Sequence, residues 1–117
     1  MQKREITEPR VKAVSQRVVE AAKDTLGDKL DKVILYGSYV RGDYDRDSDI
    51  DFFILADVTQ EEASIKRSDI RNQIPDIDLE FDLLVSLHVT GSEIFNKFID
   101  TLPFYTNVVR EGVVLND

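Results

Sequence analysis

The chain contains no cysteine and a single histidine, His88. Without cysteine there are no disulfides and no thiol chemistry, and the composition fits a cytoplasmic protein. One histidine is too few for a histidine-rich zinc site and a poor basis for a histidine-centred triad. No apolar run approaches the roughly 20 residues that a membrane-spanning helix needs. Met1-Gln2-Lys3-Arg4-Glu5 has no apolar segment behind it, so no signal peptide is expected. Positive charge is in deficit, with 15 Lys and Arg against 23 Asp and Glu and a net charge of −8. A field of that sign repels nucleic-acid backbones, which proteins meet with clustered Lys and Arg. It does not exclude a nucleotide that arrives with magnesium.

Repeats, low-complexity tracts and linkers are also missing, so the 117 residues are expected to form one domain over 1–117. A domain of that size buries roughly two-thirds of its unfolded surface, enough for one real core. Apolar residues at helical spacing (Val11, Val14, Val18, Ala21, Ala22) predict a helix over 8–26, with Thr7 as its cap and Gly27 as its stop. Residues 32–36 predict a strand apolar on both faces, hence central. A loop over 37–48 follows, with a helical turn near Ser38–Arg41, and then a strand over 49–56. Thr59-Gln60-Glu61-Glu62 is a capping-box pattern opening a helix to about Gln73, ended by Pro75. Alternation over 77–87 predicts a third strand, with Asp78, Glu80 and Asp82 on one face. A second capping-box pattern, Thr90 to Glu93, opens another helix. Pro103 begins a short one to 111, and Val113-Val114-Leu115 reads as an edge strand or a segment that packs back. This order places the chain in the α/β (α+β) class: a small sheet flanked by helices.

Residues 37–51 carry the chemistry. Gly37-Ser38 is followed, after ten residues, by Asp49-Ile50-Asp51. Two carboxylates two apart on a strand point to one face, with Cα atoms roughly 6.6 Å apart. That spacing lets them converge on a metal pair roughly 3.5–4 Å apart. Glycine admits a close backbone approach, serine adds a hydroxyl, and a following helical turn offers free N–H groups to an anion. If the flanking strands pair antiparallel, phosphate donors and metal ligands lie side by side. Arg41 is the nearest cation. A third carboxylate would serve to deprotonate a hydroxyl. Asp82, in the most apolar part of its segment, is chosen over Asp78 and Glu80 because burying it is costly unless a cation offsets it.

The string GSYVRGDYDRDSDIDFFIL resembles the minimal nucleotidyltransferases of the DNA polymerase beta-like superfamily, and the catalytic domain of kanamycin nucleotidyltransferase-like proteins. The resemblance continues through Phe81-Asp82-Leu83-Leu84-Val85-Ser86 and the tail Pro103 to Gly112. It implies a mixed sheet with helices, and transfer of a nucleoside monophosphate from an NTP, ATP above all, to a hydroxyl with release of pyrophosphate. It implies two Mg2+ ions held by Asp49 and Asp51, with Asp82 assisting and activating the acceptor. Gly37, Ser38, Arg41 and Ser48 would bind the nucleotide. In that family, stand-alone members often act beside a small helical HEPN partner, as antitoxins that AMPylate it. Nothing in the chain looks like a separate acceptor-binding domain.

Other readings compete. Alternating Asp43 to Asp51 could suggest a calcium loop, but Ser48 and Ile54 stand where an EF-hand needs Gly and Glu. An acidic stretch that is merely solvated is the general alternative. His88 reads as structural or exposed, and Gly91-Ser92, with no Asp-x-Asp behind it, as a helix start. A different class of function is a non-catalytic, antitoxin-like module that binds a basic partner, its nucleotide site vestigial. The three carboxylates favour the enzyme.

Overall fold

The computed structural model describes residues 1–116. Helix α1 spans Pro9–Leu26 and buries Val11, Val14, Val18, Ala21, Ala22 and Leu26 on one face. Its cap is Glu8 rather than Thr7: the Glu8 carboxylate accepts from the N–H groups of Arg10 and Val11. Glu8 is the residue before Pro9, so its side chain meets the first free N–H groups past the proline. Strand β1 (Leu30–Tyr36) follows a 3-10 turn at Gly27–Lys29. Helix α2 is the short turn Ser38–Arg41, and β2 is Ile50–Ala56. Helix α3 (Gln60–Gln73) starts at the expected capping box, with Glu62 N–H donating to Thr59 Oγ1 at 3.1 Å and Thr59 N–H to Glu62 Oε1 at 3.4 Å.

The third strand does not run over 77–87. Ile77–Phe81 is a helix, α4, and strand β3 is Val85–Gly91. Asp78 explains the change. Its Oδ1 accepts from Val85 N–H at 3.0 Å and its Oδ2 from Arg71 Nη2 at 2.6 Å. One carboxylate thus ties α3, the helical turn and the start of β3 together, an arrangement that alternation alone does not disclose. Asp82 ends α4 in the left-handed conformation, φ 53° and ψ 48°. Asp tolerates that conformation better than most residues. Helices α5 (Ser92–Phe98) and α6 (Pro103–Glu111) and strand β4 (Val113–Val114) complete the fold. No side chain caps α5, so the Thr90–Glu93 pattern is not a capping box.

The sheet order is β3-β2-β1-β4. β1 is antiparallel to both β2 and β4, whereas β2 and β3 are parallel. The parallel pair requires a crossover, which α3 and α4 supply. Alternation sends Ile50, Phe52, Ile54 and Ala56 into the core under α1. Phe53 and Leu55 point to the opposite core, with Ile34, Phe95 and Val108. The central strands are therefore covered on both faces, as their apolar runs require. Asp51 lies at the head of the second row, where that core gives way to solvent. Among the described residues no helix is long and apolar enough to cross a membrane.

Candidate functional site

β1 and β2 pair so that Tyr36 faces Asp51. The antiparallel register brings the end of one strand to the start of the other, and with them the Gly-Ser turn to the acidic pair. Gly37 has φ 88°, ψ −156°, and a Cβ there would lie 2.7 Å from Asp51 Oδ2. Glycine is therefore the residue that lets the turn and the carboxylate touch. Behind it α2 closes on itself, with Val40 and Arg41 N–H groups donating to Gly37 O at 3.0 and 3.1 Å.

Loop 42–49 is shaped by its own side chains. Asp45 Oδ1 accepts from Asp47 N–H at 2.9 Å, and Asp45 N–H donates to Ser48 Oγ at 3.0 Å. Tyr39 and Tyr44 stack at 4.3 Å and 12°, pinning the loop to α2. The acidic ladder is thus only partly idle: Asp45 forms a turn, and Asp43 accepts from Arg41 Nε at 3.2 Å.

Together these elements line a cavity of about 570 Å3. Gly37, Ser38, Arg41, Ser48, Asp49 and Asp51 all border it. Sequence reasoning missed its other side, where α6 contributes Phe104, Asn107, Val108 and Glu111. The only signal for them was the tail's resemblance, which assigned no role. Ser48 lines the cavity while its hydroxyl is engaged with Asp45. Asp82 is not brought there: it is exposed, at the end of α4, and does not border the cavity. The residue that faces Asp51 across β3, on the same face of the sheet, is Ser86. His88 is on that face too, 6.3 Å ring to ring from Tyr36, and burial followed by the Arg67 charge lowers its pKa. It is neutral at pH 7 and packs against rings. Any activity of this cavity is expected to stay within about threefold of wild type in Asp82→Asn, since Asp82 does not line the cavity and surface changes are usually small. Single-turnover rates would show it.

The electrostatics are those of a site short of cations. Burial, then the charge of Asp49, raises the Asp51 pKa to about 6, and Arg41 opposes this only weakly. Burial and the Asp51 charge also push the Tyr36 phenol up, so it remains protonated. Four carboxylates, Asp47, Asp49, Asp51 and Glu111, face one guanidinium. Hard oxygen donors suit magnesium. Among the described residues no cluster of three or more His, Cys, Asp or Glu forms a metal cage. Magnesium usually takes one or two protein carboxylates, with phosphates and water completing its shell. A two-carboxylate set therefore fits a cation carried in with a triphosphate better than a bare one.

Residues 15–114 match the family model of the nucleotidyltransferase domain. Two Methanocaldococcus jannaschii proteins, both named as candidate protein adenylyltransferases, are similar. One is 35% identical over 83% of this chain and 89% of its own length. The other is 41% identical over 68% and 79%. Among solved structures, a toxin-antitoxin complex with AMP-PNP matches with a TM-score of 0.57 and 24% identity, over 86% of this chain and 70% of that one. An MNT antitoxin bound to a tri-AMPylated HEPN toxin of Shewanella oneidensis gives 0.52 and 20%, over 89% and 70%. A candidate nucleotidyltransferase from Sulfolobus solfataricus gives 0.54 and 21%, over 91% and 78%. At these identities the structural likeness establishes the fold.

Proposed function

Because this chain belongs to the nucleotidyltransferase domain family, we propose that its cavity transfers AMP from ATP to a hydroxyl on a partner protein, with magnesium. The observation that carries the reading is the contact between the Gly37 turn and the Asp51 carboxylate. It joins the residues suited to a triphosphate with those suited to its metal.

In this reading Asp49 and Asp51 hold Mg2+, two ions in all, and Gly37 and Ser38 cradle the triphosphate. Arg41 lies on the same wall and pairs with phosphate oxygens. When bound, magnesium neutralises phosphate charge and polarises the attacking and leaving oxygens. The acceptor oxygen bonds to the α-phosphorus, the bond to the β-phosphate breaks, and pyrophosphate leaves. The chain's own work is to fix the α-phosphorus against the acceptor, an effect of orientation more than of covalent chemistry. Asp82 does not line the cavity, and in this reading the acceptor proton passes to a carboxylate that does or to solvent. The protein acceptor is supported by the names of the two archaeal relatives. A helical HEPN-type partner is supported by the structural neighbour in which an MNT antitoxin accompanies an AMPylated HEPN toxin.

The test is incubation with α-labelled ATP, magnesium and lysate of the source cells. Label is expected on one small protein, and EDTA is expected to abolish it. If labelling persists in EDTA, metal dependence is wrong. If no protein or small molecule takes label while a partner is still captured, the site is vestigial and the chain is a binding module.

A further inference from the structure

Resting on the reading of this cavity as a nucleotide site, we propose that Glu111 is the positioning residue for Arg41. Its carboxylate holds the guanidinium in the orientation that meets the triphosphate. Arg41 Nη1 donates to Glu111 Oε2 at 3.0 Å, and Arg41 Nε donates to Asp43 Oδ2 at 3.2 Å. Those two bonds fix the plane of the guanidinium, and among the described residues Nη2 carries no protein partner. An unanchored arginine loses rotamer freedom when it grips a ligand. Anchored as it is here, Arg41 has lost much of that freedom before the nucleotide arrives.

The two anchors differ. Asp43 lies on the exposed loop, its side chain 62% accessible, whereas the Glu111 side chain is 21% accessible. Glu111 is also the last residue of α6, and the next residue locks that helix end to the sheet. Gly112 N–H donates to Val108 O at 2.7 Å, and a Cβ on Gly112 would come within 2.5 Å of both Ile34 Cγ2 and Val108 O. Val113 then pairs with Leu35 in β1. Position passes from the sheet to Gly112, to Glu111, to Arg41. This gives Glu111 and Gly112, at the end of α6, a part in positioning Arg41.

The test is a double-mutant cycle on nucleotide affinity, measured by calorimetry with magnesium and a non-hydrolysable ATP analogue. Glu111→Ala is expected to weaken binding about tenfold, the value of a charge-assisted hydrogen bond. Arg41→Ala is expected to weaken it at least as much, and the double variant no more than about twofold beyond Arg41→Ala. Glu111→Gln, which keeps an acceptor at the same reach, is expected to stay within about threefold of wild type and serves if the alanine variant does not fold. Independent, multiplicative losses would overturn the positioning role. So would tighter binding in Glu111→Ala, which would make the carboxylate a mere repellent. A wild-type protein that binds no nucleotide at all fails the nucleotide reading itself. A wild type that binds, beside a Glu111→Ala variant that binds equally well, fails only the inference about Glu111.

Discussion

Asp51→Asn is expected to lose transfer by on the order of 10³-fold while making the metal-free protein more stable. Both effects come from one carboxylate. On the proposed function, activity would fall because an amide is a neutral and much poorer ligand for magnesium, and the cation that balances the triphosphate would be lost. Stability rises because the same carboxylate is unfavourably placed when no cation is present. Its pKa is about 6 in the fold, against 3.8 for the ordinary carboxyl, through burial and the nearby Asp49. The folded state therefore holds a proton that the unfolded chain has already released between those pH values. A group shifted upward in this way favours the fold below pH 4, and its contribution declines as pH rises through 6. The full shift corresponds to about 3 kcal/mol, but Asp51 is half exposed, and solvent screening reduces this to about 1–2 kcal/mol. In EDTA, Asp51→Asn should melt several degrees above wild type at pH 7, about 4–8 °C per kcal/mol for a small domain. At pH 4.5 the difference should shrink. Equal melting temperatures at both pH values would sink the electrostatic account.

Gly37→Ala is the second large effect. It should cost about 1–3 kcal/mol, because φ 88° with ψ −156° is a region that only glycine occupies without strain. The new methyl would also lie 2.7 Å from Asp51 Oδ2, so the carboxylate must move. A displacement of about 1 Å at a reacting centre can cost 10²-fold in rate. Transfer measured at a temperature where circular dichroism shows the variant folded should therefore drop by about that factor. Gly42→Ala is the control. Gly42 also has positive φ, 87°, but nothing lies within 4 Å of its added Cβ. It should cost about 1–2 kcal/mol of stability and leave the rate of the folded fraction near wild type. If both variants lose rate equally, strain in the turn and not contact with Asp51 is responsible.

The parts legible in the sequence were those governed by local rules. The Thr59–Glu62 cap, the stop of α1 at Gly27, and the apolar runs of β1 and β2 follow from chemistry within a few residues. So does the placing of Asp51, because alternation fixes its face once Phe53 and Leu55 are buried. The strand expected over 77–87, with Asp82 on it, is not of that kind. The segment alternates like a strand, yet Asp78 spends its side chain on Arg71 and on the Val85 N–H, contacts that depend on α3 and β3 being present. The α6 wall was illegible for a related reason. Asn107 and Glu111 are more than fifty residues from Asp49 in sequence, and only the packing of Val108 beside Ile34 and Phe53 carries them to the cavity.

The sheet register makes the two spacings of the motif unequal in kind. Inserting one residue between Asp49 and Asp51 would leave Asp51 in step with Phe53 and Leu55 but put Asp49 out of step with it, and inserting one within β2 past Asp51 would turn Asp51 toward the core beneath α1. An extra residue in the exposed loop 42–47 changes neither strand's parity, and lengthening a loop costs little closure entropy. Natural insertions and deletions in relatives should therefore collect between the serine and the first aspartate, while the aspartate pair keeps its single intervening residue. The ten-residue gap is a loop length open to drift, and Asp-x-Asp is a geometric constant of the pleat.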